Sequence, residues 1–306
     1  MKNLKLKIEY KEKYKLTNNT IIISGDNFGD FFLSYLIYLI LKKYIINIYF
    51  NINNFNINNF HAENLINHKE DEHIFLGDIS DKIFFNIIKF KYNNEQGNKN
   101  NILEMFFNEF FQQFNIPNDI CDKIRQEIKT TKYKIPVKYY DILSIPSVDV
   151  SIVSKGGLWS GYKNWPYFKE LKDKLNENKI TYIDLSEKNI KNIECLNYIK
   201  KSKLYLGLDT GVSHYASSVA SGKALILQSG YSYFDFWCFY DYDYINVNIE
   251  CQKCFLNYYT ITKKHKYMNC KNDHKCMKNI SVDMVYNKIV EKLKKWDQSW
   301  NIKIIL

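Results

Sequence analysis

The chain has 306 residues, 46% of them hydrophobic, with only four prolines and eleven glycines, which excludes a disordered or collagen-like polymer. At that length one hydrophobic core usually gives way to two, so two domains of about 150 residues are expected. The formal net charge of +10 is spread along the chain; it suits nucleic acid, an anionic membrane face or phosphorylated small molecules and does not choose among them.

Residues 1–15 mix charged and apolar side chains and lack the apolar core and small-residue cleavage site of a secretory signal. The longest apolar stretch, 31–41, is interrupted by Ser34 and stopped by Lys42 and Lys43, short of the roughly 20 residues that span a bilayer. Seven cysteines, four of them between 251 and 276, suit a reducing compartment with one local metal or redox cluster better than a disulfide framework. A cytoplasmic location is expected. A solvated basic face and peripheral association with the inner membrane face are the two readings of the charge.

Residues 4–14 alternate Leu4, Leu6 and Ile8 with polar residues, the pattern of an edge strand or hairpin arm. A strand over 20–24, a turn over 25–30, a helix over 31–43 and a strand over 45–50 make a β-loop-α-β unit of a parallel sheet. Further on, 74–76 reads as a strand, 83–90 as either helix or strand, 93–101 as a surface loop and 102–114 as a helix. A boundary near 141–147 gives domains 1–145 and 146–306.

The second half repeats the rhythm more clearly. Strands are expected over 148–153, 180–184, 204–208 and 224–228, with helices over 165–176, 190–200, 213–220 and 282–296. Strand, glycine turn and helix alternate at the spacing of nucleotide-binding α/β domains.

Asp209, Thr210, Gly211, Val212, Ser213 and His214 follow an apolar strand directly. Gly211 lets backbone approach a ligand closely, the helix N-terminus attracts phosphate, and Thr210, Ser213 and His214 add polar groups. The plainer reading is a helix capped by Asp209 or Ser213 with Gly211 permitting the turn. Asp30 occupies the same kind of strand end in the first half, as a proton acceptor in a cleft or as a simple N-cap. Lys163, just before a helix start, is either a point charge for a diphosphate or a solvated lysine. Cys251, Cys254, Cys270 and Cys276 have the close first pair and separated second pair of a four-sulfur zinc or iron site, structural because its shell is full. Free thiols or two disulfides are the alternative, and His265 and His274 read as surface residues.

Taken together, Gly29-Asp30 before an apolar helix, Lys163-Asn164-Trp165-Pro166, the run Asp209 to Ala216 and Gly222-Lys223-Ala224 resemble the ADP-heptose:lipopolysaccharide heptosyltransferase family, glycosyltransferase family 9. The cysteine cluster resembles that of its autotransporter-modifying members. The resemblance implies a GT-B-type α/β fold, two Rossmann-like domains facing each other across a cleft. It implies an inverting glycosyltransferase of lipopolysaccharide or protein modification, moving heptose from ADP-heptose to a glycan, lipid-linked or protein acceptor, with no metal in the chemical step. Asp30 would be the general base; Lys163, Thr210 and Gly211 would hold the donor diphosphate, with Asp209, Ser213 and His214 in the same pocket. Another nucleotide-sugar donor and a nucleotide-sugar epimerase are the competing enzyme readings. A zinc-ribbon nucleic-acid binder is set aside because it leaves the Asp30 and Asp209–His214 turns without a shared purpose.

Overall fold

The computed structural model describes residues 14–23, 28–52, 56–57, 60–61, 74–76, 86–89, 102–133, 145–156, 163–187, 192–219, 223–230, 241–251, 270 and 272–304. They fall into two compact units. The expected strand before residue 14 and the loop over 93–101 lie outside the described residues.

In the first unit, β1 (Tyr14–Ile23), α1 (Phe28–Tyr44) and β2 (Ile45–Ile52) form the expected β-α-β unit. A short antiparallel pair, β3 (Asn56–Ile57) and β4 (Phe60–His61), precedes β5 (Ile74–Leu76) and β6 (Asn86–Lys89). The three other pairings are parallel and order four strands as β5-β2-β1-β6. The ambiguous segment 83–90 is therefore a strand where it is described. Helix α1 is buried on every side at Phe31, Leu36, Ile37, Ile40 and Leu41, the expectation for a helix apolar all round. Its buried serine, Ser34, returns its hydroxyl to the Phe31 carbonyl at 3.1 Å.

Two helices complete this unit, α2 (Ile102–Phe114) and α3 (Asn118–Thr130). The sequence reading has no counterpart for α3. Its buried stripe, Ile120, Ile124 and Ile128, repeats every four residues, and the hydroxyls of Tyr44 and Tyr133 donate to its Glu127.

In the second unit β7 (Val150–Val153), β8 (Tyr182–Asp184), β9 (Leu204–Leu208), β10 (Ala224–Leu227) and β11 (Asp243–Ile245) lie parallel in the order β11-β10-β9-β7-β8. Helices α4 (Phe168–Glu177), α5 (Asn192–Lys201) and α6 (Gly211–Val219) connect them, and α7 (Lys275–Lys278) and α8 (Val282–Ile304) follow. Strands β7, β9 and β10 are buried at every position, which is why β9 and β10 read as apolar runs, while Ser151 gives β7 its alternating pattern. Helix α8 packs on α4 and extends past the expected 296. Helix α4 begins three residues later than the sequence suggests, because Trp165 is fixed by its own hydrogen bond and Pro166 and Tyr167 form a turn.

Both sheets reverse direction once. The chain steps outward from β1 to β2 to β5 and then places β6 on the other side of β1. It steps from β7 to β8 and then places β9, β10 and β11 on the other side of β7. These are Rossmann-like orders, and such a reversal leaves an uncovered crevice at the carboxyl ends of the strands that flank it. Among the described residues no helix is long and apolar enough to cross a membrane.

Leu206 is fully buried in the central strand β9. Leu206→Ala is expected to cost about 2–5 kcal/mol, read as a lower urea midpoint for the second unit at an unchanged slope.

Candidate functional site

The crevice of the second unit lies between the carboxyl ends of β7 and β9. Lys163 follows the first, and the turn Asp209-Thr210-Gly211 follows the second. The structure brings them together. Lys163 Nζ donates to the Asp209 backbone carbonyl at 2.7 Å and to its carboxylate Oδ2 at 3.2 Å. Both side chains are mostly withdrawn from water, at 14% and 7% exposed.

Thr210 carries the turn into α6. Its carbonyl accepts the N–H groups of Ser213, at 3.0 Å, and His214, at 3.4 Å. The N–H groups of Gly211 and Val212 open the helix, where backbone donors have no intrahelical acceptor. The Thr210 hydroxyl is buried and has no hydrogen-bond partner. A buried polar atom left in that state is costly, and here it stands beside an ammonium and a helix N-terminus, the surroundings that suit an anionic oxygen.

Ser213 is placed differently. Its hydroxyl donates to the Leu208 carbonyl and lies 3.0 Å from the Tyr205 hydroxyl. It therefore fastens the start of α6 to the end of β9. Tyr205 reaches it by lying over Gly207, where an added Cβ would sit 2.2 Å from the phenolic oxygen. Glycine at 207 is the condition for that bond.

His214 is buried. Burial, the largest cause, pushes its imidazole down to about 4; Asp209 opposes the shift and the Lys163 charge adds to it. Above that value the ring is neutral, able to donate from one nitrogen and accept at the other.

Asp30 lies in the first turn of α1, after the carboxyl end of β1, beside the strand-order reversal of its own sheet. The helix begins at Phe28, so Asp30 stands inside its first turn and not in the turn expected over 25–30.

Of the cysteine set, Cys254 is outside the described residues. Cys251, Cys270 and Cys276 carry free thiols. The Cys276 thiol is pushed up chiefly by burial; a Gly230 backbone N–H opposes this, and Cys270 and Cys251 are near enough to raise it further. The His274 backbone N–H donates to the Cys270 sulfur at 3.3 Å, and left-handed Asp273 and His274 make the tight turn that aims it there. Among the described residues no group of three His, Cys, Asp or Glu side chains meets metal-ligand spacing. The thiols of Cys270 and Cys251 act on the charge of Cys276, and cysteine sulfur is the donor chemistry that zinc and iron take.

Two features were not reached from sequence. Asp184, at the end of β8, is buried and engaged by the Ser186 N–H at 3.0 Å and Lys172 Nζ at 3.3 Å. Trp165 donates its indole N–H to the Ile280 carbonyl at 2.8 Å. An acid at the end of the second strand of a Rossmann-like unit was a usable signal for the first; the second joins distant segments and left none.

Solved structures supply the comparison. The iron-containing dodecameric glycosyltransferase TibC from enterotoxigenic E. coli H10407 aligns over 92% of this chain and 77% of its own, with a TM-score of 0.58 and 12% identity. TibC in complex with ADP-D-β-D-heptose aligns over the same shares with a TM-score of 0.59 and 12% identity. The chain has a GT-B-type glycosyltransferase fold. A family 9 glycosyl transferase from Veillonella parvula DSM 2008 aligns over 93% of this chain and all of its own, at 12% identity and a TM-score of 0.47. No family model matches the sequence, and no curated protein matches it. Asp30 and the Lys163–Asp209 pair each stand beside the strand-order reversal of their own sheet.

The depressed His214 value has a consequence for stability. An unfolded histidine takes a proton near 6.5 while the folded one resists until about 4, so the unfolded chain binds more protons between those values. Stability is then full above about pH 6.5 and is lost as pH falls, by about 2 kcal/mol at pH 5. Urea midpoints at pH 7 and 5 are expected to differ accordingly in the wild type, and less in His214→Gln.

Proposed function

We propose that this chain is an inverting glycosyltransferase that moves heptose from ADP-heptose to a cell-envelope glycan, lipid-linked or protein acceptor. The observation that carries the donor half of the reading is the convergence, at one strand-order reversal, of the Lys163 ammonium, the unpartnered buried Thr210 hydroxyl and the N-terminus of α6. A diphosphate satisfies all three at once. The complex of TibC, a protein of like fold, with ADP-D-β-D-heptose motivates the choice of nucleotide and sugar.

In this reading the donor diphosphate takes the place that Asp209 holds on Lys163, and the Gly211 and Val212 N–H groups and Thr210 hydroxyl complete its binding. The acceptor hydroxyl oxygen attacks the anomeric carbon from the side opposite the diphosphate. A new C–O bond forms as the bond to the diphosphate oxygen breaks, which inverts the configuration. Asp30 takes the acceptor proton, and the charge that accumulates on the leaving diphosphate meets Lys163 and the helix N-terminus. His214, neutral at physiological pH, offers a hydrogen bond without adding charge, and Ser213 keeps the turn in place. Cys251, Cys254, Cys270 and Cys276 would hold a structural zinc or iron ion, which contributes local folding energy. The chemical step needs no metal. The basic composition suits a cytoplasmic enzyme working at the inner, anionic membrane face.

Thr210→Val separates binding from folding. It removes a hydroxyl that has no partner, so the urea midpoint is expected to hold or rise, while ADP affinity in calorimetry falls about tenfold with the lost hydrogen bond. Loss of stability with unchanged ADP affinity would mean that the hydroxyl faces the fold and not a ligand.

Release of free nucleotide diphosphate from ADP-, GDP- and UDP-sugars, with and without envelope glycan or protein acceptors, tests the reaction. Acceptor-dependent release from ADP-heptose is expected, falling at least about a hundredfold in Asp30→Ala with the loss of the base. Release that is independent of acceptor, or that survives in Asp30→Ala, contradicts the transfer mechanism.

A further inference from the structure

Lys163 and the cysteine segment are far apart in sequence and joined by one buried hydrogen bond. Trp165, only two residues after Lys163, is 3% exposed and donates its indole N–H to the Ile280 carbonyl at 2.8 Å, across 115 residues. The ring is pinned edge-on by Phe168, with centroids 5.0 Å apart, and by Tyr167 at 5.8 Å. Cys276, Met277 and Ile280 belong to the same buried cluster as Trp165.

The other end of this connection is equally held. The Met277 N–H donates to the His274 carbonyl at 2.9 Å, and the Ile280 N–H to the Met277 carbonyl at 3.2 Å. The His274 N–H lies on the Cys270 sulfur. Hydrogen bonds thus run without a break from Cys270 to the indole. Cys276, within that run, takes a backbone N–H from Gly230, just past β10, and the thiols of Cys270 and Cys251 act on its charge. A two-residue reach from Trp165 to Lys163 spans at most about 7 Å of chain, so a displaced indole carries Lys163 with it.

We propose that Trp165 is a positioning residue, a strut by which the hydrogen-bonded segment from Cys270 to Ile280 sets the Lys163 ammonium against Asp209, so that loosening that segment releases the lysine. The inference rests on the donor reading only for what Lys163 binds. The coupling is a property of the ligand-free protein and is tested without a ligand.

The probe is an N-hydroxysuccinimide ester applied to the full chain, with labelling of each lysine followed by peptide mass spectrometry. Lys163 in the wild type should react slowly compared with exposed Lys169. Lys172 is the internal control, 13% exposed and paired with Asp184 and Glu187. Trp165→Phe keeps an aromatic ring and removes the N–H donor; it should speed Lys163 labelling about fivefold, as the loss of one net hydrogen bond allows, and leave Lys172 unchanged. Cys270→Ser, altered at the far end, should do the same. If either variant leaves Lys163 labelling unchanged, the strut is overturned. If Lys172 accelerates together with Lys163, the unit has loosened as a whole, and the strut is again overturned. ADP affinity measured on the same preparations judges the donor reading separately. A wild type that does not bind ADP but shows the expected labelling keeps the strut and removes the donor reading.

Discussion

A parallel sheet that changes direction leaves a crevice at the carboxyl ends of the two strands where the change occurs. In the second unit those strands are β7 and β9, both buried at every position. Because they are fixed by burial on both faces, the segments that leave their carboxyl ends start from fixed points. The chain after β7 reaches Lys163, and the chain after β9 turns at once through Asp209, Thr210 and Gly211 into α6. The meeting of Lys163 with Asp209 follows from that strand order, although the two are 46 residues apart.

An ammonium and a carboxylate withdrawn from water contribute little net stability, since desolvation offsets most of their attraction. Their value lies elsewhere. The pair holds positive charge in a low-exposure site beside a helix N-terminus, next to a buried hydroxyl with no partner. In the proposed function an anionic ligand meets a positive charge that the fold already holds in place. Asp209 also offsets part of the effect of burial and of Lys163 on His214, while burial keeps that imidazole neutral. Ser213 and Tyr205 tie α6 to β9 at 3.0 Å through a contact that only glycine at 207 leaves room for. The turn is thus braced from below by hydroxyls and left unsatisfied above.

Much of this frame was legible in the sequence, for identifiable physical reasons. Buried parallel strands are apolar runs, and 204–208 and 224–228 could hardly be read otherwise; Gly211 and the polar residues around it marked the turn. The close pair Cys251 and Cys254 with Cys270 and Cys276 suggested a metal cluster; among the described residues no group of three such side chains has metal-ligand spacing. Helix α3 was missed although Ile120, Ile124 and Ile128 repeat every four residues, because polar and charged residues fill the rest of the segment. The Trp165 to Ile280 bond has no local signature at all, since a tryptophan before a proline looks the same whether its N–H meets a carbonyl or water. Nor does residue type separate the Ser213 hydroxyl, which is turned into the fold, from that of Thr210, which has no partner. Only the backbone turn separates them.

A crystal structure of the chain with ADP tests the central claim most directly, because it locates the diphosphate without reference to any acceptor. The account predicts phosphate oxygens at hydrogen-bond distance, about 3 Å, from Lys163 Nζ and the Thr210 hydroxyl, with Lys163 released from the Asp209 carboxylate. Diphosphate bound elsewhere, with the Lys163 to Asp209 bond intact and Thr210 still unpartnered, would contradict it.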